Sequence, residues 1–336
     1  MTHKEFYIWL DGLMTNRDWT TIKQIDIERI QNKIKEVKDD LKYSLKIAVC
    51  VHLYHHDMWD EIKEYLNNID HPYKLYVNIC EYMPNESLPD FNWEEYLRLN
   101  PDLSSNNLLT KDKVTKHFLR FGIKENRNYK QTQIDLIDKI KSYKDNSVIL
   151  KSPNKGMDIG GFLYTYKHVD DDTDIILKIH TKKGLGDTSN PSNSLKVHGV
   201  NKAKKIGEEW FKNLMNGVLK NKNQVNNIIN EFTLNPKCGM VGFKLYNNYS
   251  VNIKEMKKIY KLINVHPTGK NPFFVGGTTF WVSNVVMKKY FTNENIDKIL
   301  DILPYGYVHE PSPNHAMERI FGCFVYNDQK EIKIIT

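Results

Sequence analysis

The apolar residues of this chain change their spacing several times, and each change marks an element. Over residues 1–43, Ile22, Ile25, Ile27, Ile30, Ile34 and Val37 recur among Lys, Glu and Asp at close to helical spacing, which predicts an amphipathic N-terminal helical appendage. The run LKIAVCVHLY then has the length and composition of a strand. DMWDEIKEYLNNI reads as a helix and YKLYVNICEY as a second strand. A strand, a helix and a strand in that order open a parallel sheet covered by helices.

That rhythm breaks at about 88–130, where NWEEYLRLNPDL and KVTKHFLRFGIKENRNY pattern as short helices between polar turns. This is a helical insertion, and its layout resembles a short module of glycan-building proteins. After a helix over 131–144 the alternation resumes: SVILKSPN as a strand and turn, GGFLYTYKHV as a helix, DIILKIHTKK as a strand ending in a loop. Helices follow at IGEEWFKNLMNGVL and QVNNIINEF, then the strand CGMVGFKLY, then a turn, strand and helix in FFVGGTTFWVSNVVMKKYF. HEPSPNHAMERIFGCFVYN is a loop entering a helix predicted to end near Gly322. The predicted fold is α/β: a Rossmann-type sheet with helices on both faces, spanning one domain over 44–336 with the insertion inside it.

Composition narrows the functional classes. With 40% hydrophobic and 26% charged residues, the 336-residue chain has the material for a sizeable core and is not a disordered segment. Its net charge of +7 suits an anionic ligand or surface. The lysines are scattered and do not form a basic stripe interleaved with stacking aromatics, so nucleic acid is not an expected partner. Cys50, Cys80, Cys238 and Cys323 lie far apart without a CxxC pair, which argues against a zinc knuckle and against a disulfide framework. Cys50 and Cys80 sit in apolar strands and read as reduced core residues, hence a reducing, cytoplasmic setting. No stretch approaches 18 uninterrupted apolar residues, and the first residues carry too many charges for a signal peptide. Neither a membrane span nor secretion is expected, while peripheral membrane contact stays open.

Open α/β sheets bind ligands beyond the carboxyl ends of their strands, so chemistry is sought there. Four places qualify: His52 to Asp57, Asn154 to Gly161, His180 to Lys183, and the pair Gly276 and Gly277. The segment NKGMDIGGF, with Asn154, Gly156 and Asp158, allows two readings. Its glycines let backbone approach a ligand while Asp158 holds a sugar or ribose hydroxyl, or the segment is a structural turn into a helix. It fits neither GxGxxG nor the Walker spacing. His52 either touches a nucleotide or is a satisfied core histidine. Asp170, Asp171, Asp172 and Asp174 precede their strand, at its opposite end, and read as a solvated turn. In HAMER, His315, Glu318 and Arg319 fall on one helix face, where Glu318 and Arg319 supply a carboxylate and a cation or merely pair within the helix.

Taken in order, VHLY-x-x-DMWDEI, NKGMDIGGFLY, ILKIHTKK, FFVGGTTFWV and HAMERIFG resemble the rhamnan synthesis protein F family, from about Lys46 to Val325 with the insertion as an interruption. The resemblance implies a GT-A-like glycosyltransferase that moves rhamnose or a related sugar from a UDP- or dTDP-sugar to a glycan or glycolipid acceptor. In most GT-A enzymes the strand matching DIILKIHTKK ends in Asp-x-Asp, which holds a divalent cation on the diphosphate. Here it ends in His180, Thr181, Lys182 and Lys183. Cationic side chains can neutralise the phosphates directly, so no metal site and no required cofactor are expected. The donor set is then His52, Asn154, Gly156, Asp158, His180, Lys182, Lys183 and Arg319. The acceptor set is Gly276, Gly277, Trp281 and His315. An inverting reaction needs a base, with Glu318 first and Glu310 and Asp158 as rivals. Transfer of another sugar, such as a furanose, on the same scaffold and a noncatalytic glycan-binding or glycan-assembly subunit are the competing readings.

Overall fold

Every residue of Ile47–Leu53 (β1) and of Ile175–His180 (β4) is buried, so both strands lie mid-sheet with cover on each face. The computed structural model describes residues 28–33, 45–80, 91–106, 110–122, 125, 127–184, 193–267 and 273–335. Of the expected N-terminal appendage it describes residues 28–33, which are helical; the rest of that expectation lies outside the described residues.

β1 and β4 are joined by Tyr73–Cys80 (β2), Val148–Ser152 (β3), Cys238–Gly242 (β5), Phe280–Ser283 (β8) and Glu331–Lys333 (β9) in one seven-stranded sheet of order β3-β2-β1-β4-β8-β5-β9. Only β8 runs against the others. Leu245–Tyr246 (β6) and Phe274–Val275 (β7) form a separate antiparallel ribbon.

Successive residues of β1 alternate between two cores, as the two-residue strand period requires. Ile47, Val49, Val51 and Leu53 pack on one face with Trp59–Leu66 (α1), Gln131–Tyr143 (α4), Asn193–Leu219 (α6) and Lys222–Leu234 (α7). Ala48 and Cys50 face the other way, toward Met157–Tyr166 (α5), Ile253–Leu262 (α8), Asn284–Tyr290 (α9), Asn293–Ile302 (α10) and Pro313–Asn327 (α11). The fold is therefore a Rossmann-like α/β sheet with helices on both faces.

Trp93–Leu99 (α2) and Lys111–His117 (α3) lie in the expected insertion and gather round a third core of Phe91, Tyr96, Leu103, Val114, Phe118 and Tyr129. Phe91 stacks on Phe118 with centroids 4.8 Å apart. Asn92 caps α2 by accepting from the amides of Glu94 and Glu95. Among the described residues, three bonds tie this unit to the sheet domain: Gln131 N–H to Glu95 (2.8 Å), Arg98 to Gln131 Oε1 (3.3 Å) and Lys151 to Asn128 (2.7 Å).

Three departures from expectation have local causes. The run CGMVGFKLY divides at residues 243 and 244 into β5 and β6, and a Cβ at Gly242 would lie 2.4 Å from Val275, so this glycine lets β5 and β7 approach closely. Helix α11 does not stop at Gly322 but runs on to Asn327; a Cβ at Gly322 would sit 2.5 Å from Phe273 O, so this glycine lets the helix lie on β7. Helices α8 and α10 were not anticipated, their apolar stripes being diluted by Lys, Asn and Asp. All four cysteines are free and buried. Among the described residues no helix is long and apolar enough to cross a membrane.

Candidate functional site

Strands β2 and β4 flank β1 on opposite sides, so the crossovers leaving β1 and returning past it diverge at the carboxyl ends of β1 and β4, the position where open α/β sheets form their ligand crevice. Residues 54–57 and 181–184 follow those strands. The entry to α5, the turn from Gly276 to Thr279 and the first turns of α11 complete the rim.

Beneath the rim lies Lys178, 1% exposed in the middle of β4. Its ammonium donates to Asp158 Oδ2 (2.7 Å), Thr278 O (2.7 Å) and Thr278 Oγ1 (3.0 Å), one acceptor for each proton. The Thr278 hydroxyl in turn donates to Asp158. The Phe162 and Phe280 rings stand 5.7 and 5.8 Å from the ammonium. Burial pushes the Lys178 pKa down against the pull of Asp158. Burial alone would raise the Asp158 carboxyl, but His180, Lys178 and the bonds from Lys178 and Thr278 hold it far below the usual carboxylate range. Thr278 has φ of 52° and Gly277 of 78°. A β-branched residue in the left-handed region is costly, and here both its carbonyl and its hydroxyl are held by the lysine.

The second group sits on α11. Glu318 accepts from Gly277 N–H (2.6 Å) through one oxygen and from Arg319 (2.9 Å) through the other. Burial raises its pKa, with Arg319 and the Gly277 amide opposing. Arg319 is 4% exposed and makes four bonds: to Asn248 O, His315 O, Glu318 and Glu310. His315 bonds Ser312 Oγ (2.8 Å), and burial lowers its pKa.

At the end of β1, His52 Nδ1 accepts from Asn78, which also donates to Ser152, and burial lowers the His52 pKa to about 4. Thr181 Oγ1 accepts from the amides of Tyr54 and His55, fixing the turn after β1 to the end of β4. Lys183 pairs with Asp57. Lys182 makes no ion pair among the described residues and stands within electrostatic reach of His55, His180 and His315.

Several expected site residues are thus brought together: Asp158, His180, Lys182, His315, Glu310 and Glu318 share one neighbourhood. Others need correction. Trp281 is fully buried on the far face, its indole N–H bonded to Val218 O (3.1 Å), and so lines no acceptor cleft. Arg319 cannot also grip a diphosphate while bound to two carboxylates and two carbonyls; it aligns Glu310 with Glu318. His180 is buried beside Asp158, and burial lowers its pKa to about 3. His52 takes the core reading. Asp158, bonded to Lys178 and held ionised, is a poor proton acceptor. The glycines of NKGMDIGGF serve packing: a Cβ at Gly160 would lie 1.8 Å from Lys155 O, and one at Gly161 would lie 2.1 Å from His52 Nδ1. Gly156, at φ 76°, donates to Pro304 O, and Asn154 O accepts from Gly306, so this loop is pinned to the one before α11. Lys178 and Thr278 were missed; the available signal was a lone lysine inside an otherwise apolar strand. Among the described residues no group of three or more His, Cys, Asp or Glu is placed to hold a metal ion.

The sequence matches the rhamnan synthesis protein F family over residues 102–330, most of the chain and all of the site but the end of β1. The chain belongs to this family. No curated protein matches the chain. The family match begins inside the α2–α3 unit. Membership in the rhamnan synthesis protein F family implies a part in rhamnan or polysaccharide synthesis and glycan-related substrates.

Proposed function

We propose that the chain is a glycosyltransferase of GT-A-like architecture, transferring rhamnose or a related sugar from a nucleoside diphosphate to a glycan with inversion. The observation that carries this reading is the placing of strand-end cations and a part-buried helix carboxylate about one neighbourhood at the carboxyl ends of the strands. The Lys182 charge acts on His315, on the helix that carries Glu318. In this reading Lys182 and Lys183 neutralise the departing diphosphate, an assignment supported by two lysines standing where other GT-A enzymes place metal-binding aspartates. Glu318 removes the acceptor hydroxyl proton, helped by a raised pKa that makes it a better base than an exposed glutamate. The Gly277 amide and Arg319 orient it. Glu310 is the alternative base, since it shares Arg319 and is more exposed. The sheet over 44–336 acts as one transferase domain in the cytoplasm, and no metal is needed.

Thermal stabilisation tests this directly. UDP- and dTDP-sugars should raise the melting temperature of the chain with and without EDTA, and Lys182→Ala with Lys183→Ala should weaken that response by about ten- to a hundredfold in apparent affinity. Stabilisation by glycan alone would replace the enzyme with a glycan-binding or assembly subunit. Dependence on added manganese or magnesium would remove the metal-independent mechanism.

A further inference from the structure

Helix α8 carries a surface that the reaction does not use. It buries Met256, Ile259 and Tyr260, while Lys254, Lys257, Lys258 and Lys261 are exposed on the opposite side. Their spacing of three, four and seven residues aligns them in one stripe. Glu255 pairs with Lys258 (2.6 Å), leaving Lys254, Lys257 and Lys261 without a carboxylate partner among the described residues. At the head of the stripe Val251 and Ile253 are 46% and 42% exposed, and Ile253 lies one turn from Lys257. This surface adjoins the site: Asn252 accepts from Ser312 N–H (3.1 Å), and Asn248 O holds Arg319 (3.2 Å).

We propose that this face of α8, with Val251 and Ile253, docks the protein on an anionic lipid surface and so holds the crevice beside Glu310 and Glu318 close to it. Four ammonium groups meet acidic headgroups, and two branched aliphatic side chains enter the headgroup boundary at the end nearest the site. Charge complementarity and aliphatic contact both favour lipid. Single-stranded nucleic acid would call for aromatic platforms between the lysines, and this stripe has none. Contact of this size is reversible and weakened by salt. The docking does not depend on the transferase reading, although a membrane-anchored glycan acceptor would be delivered by it.

The test is cosedimentation of the purified full chain with vesicles of phosphatidylcholine alone or with phosphatidylglycerol added, at low and high salt. The wild type should bind the anionic vesicles and release at high salt. Losing each lysine should weaken partitioning about fivefold, so Lys254→Gln, Lys257→Gln, Lys258→Gln and Lys261→Gln together should abolish it. Ile253→Ser, which keeps every charge, should weaken it less. The same four-fold change at the exposed Lys202, Lys204, Lys205 and Lys212 of α6 should leave binding largely intact. Melting temperatures confirm that each variant folds. Absence of wild-type binding, equal losses from the α6 and α8 variants, or α8-dependent binding to oligonucleotide in preference to vesicles would each overturn the proposal.

Discussion

At the scale of single residues, Lys178 decides how the site is held and Glu318 how it would react. A buried ion pair breaks expensively when one partner is removed, because the other charge stays behind. Lys178→Met should therefore destabilise the fold by about 3–5 kcal/mol, while adding Asp158→Asn should recover much of the loss, as read from chemical denaturation. The Asp158 carboxyl is depressed in the folded state, so its contribution is complete above its unfolded value and is lost as pH falls through the folded one. The deficit of Asp158→Asn should accordingly be full at pH 7 and begin to narrow only below about pH 4. For Glu318 the sign is opposite: with its pKa raised, the active carboxylate is lost on acidification earlier than for an ordinary glutamate, so the acid limb of the rate profile should lie above the usual carboxylate range. Glu318→Gln should cut turnover about 10²- to 10⁴-fold with donor affinity unchanged. A parallel fall in melting temperature would reduce Glu318 to a structural tie. Asp158 was legible from its glycine-rich loop after a strand, Glu318 and Arg319 from the spacing of HAMER on one helix face, and Glu310 from the loop before that helix. Lys178 was not, since a lysine is ordinarily read as solvated and its burial depends on the three acceptors that only the fold supplies. Trp281 was misplaced for a related reason: sequence puts it just after the glycine turn, and only the strand register shows which face it takes.

At the scale of elements, the close seating of α5 against β1 and the loop after β3 depends on two glycines. A methyl group at Gly160 would meet backbone, which cannot rotate away, and one at Gly161 would meet the His52 ring. Gly160→Ala should cost about 1–3 kcal/mol by overpacking, measurable as a lower denaturation midpoint. If the midpoint is unchanged, α5 has more freedom than its contacts imply. The strands and helices from β1 to α7 followed visibly from hydrophobic period, since their apolar runs are long and bounded by polar turns. Helices α8 and α10 escaped because their buried positions are outnumbered by lysine, asparagine and aspartate. The direction of β8 escaped too, being set by a tight return from β7 through Gly276 to Thr279, with no crossover helix.

At the scale of the molecule, three cores among the described residues divide the work: two sandwich the sheet, and the aromatic one belongs to the α2–α3 unit alone. Phe118 is fully buried in that third core. Phe118→Ala should cost about 3–5 kcal/mol within the unit yet leave nucleotide-sugar stabilisation of the sheet domain in place. Simultaneous loss of ligand response would mean that the unit helps to build the crevice.

The position of β8 also orders events in time. During synthesis β1 to β4 can pair as they emerge, because each finds a neighbour already made. Strand β5 cannot join them: its place is filled only when β8, some forty residues later, inserts between β4 and β5. Until then Lys178 has Asp158 but lacks the two acceptors that Thr278 supplies. A nascent or prematurely ended chain thus holds a half-sheet with an open edge at β4, the kind of edge that recruits strands from other molecules. Completion of the crevice and closure of that hazard are one event, and both wait for the last fifth of the chain.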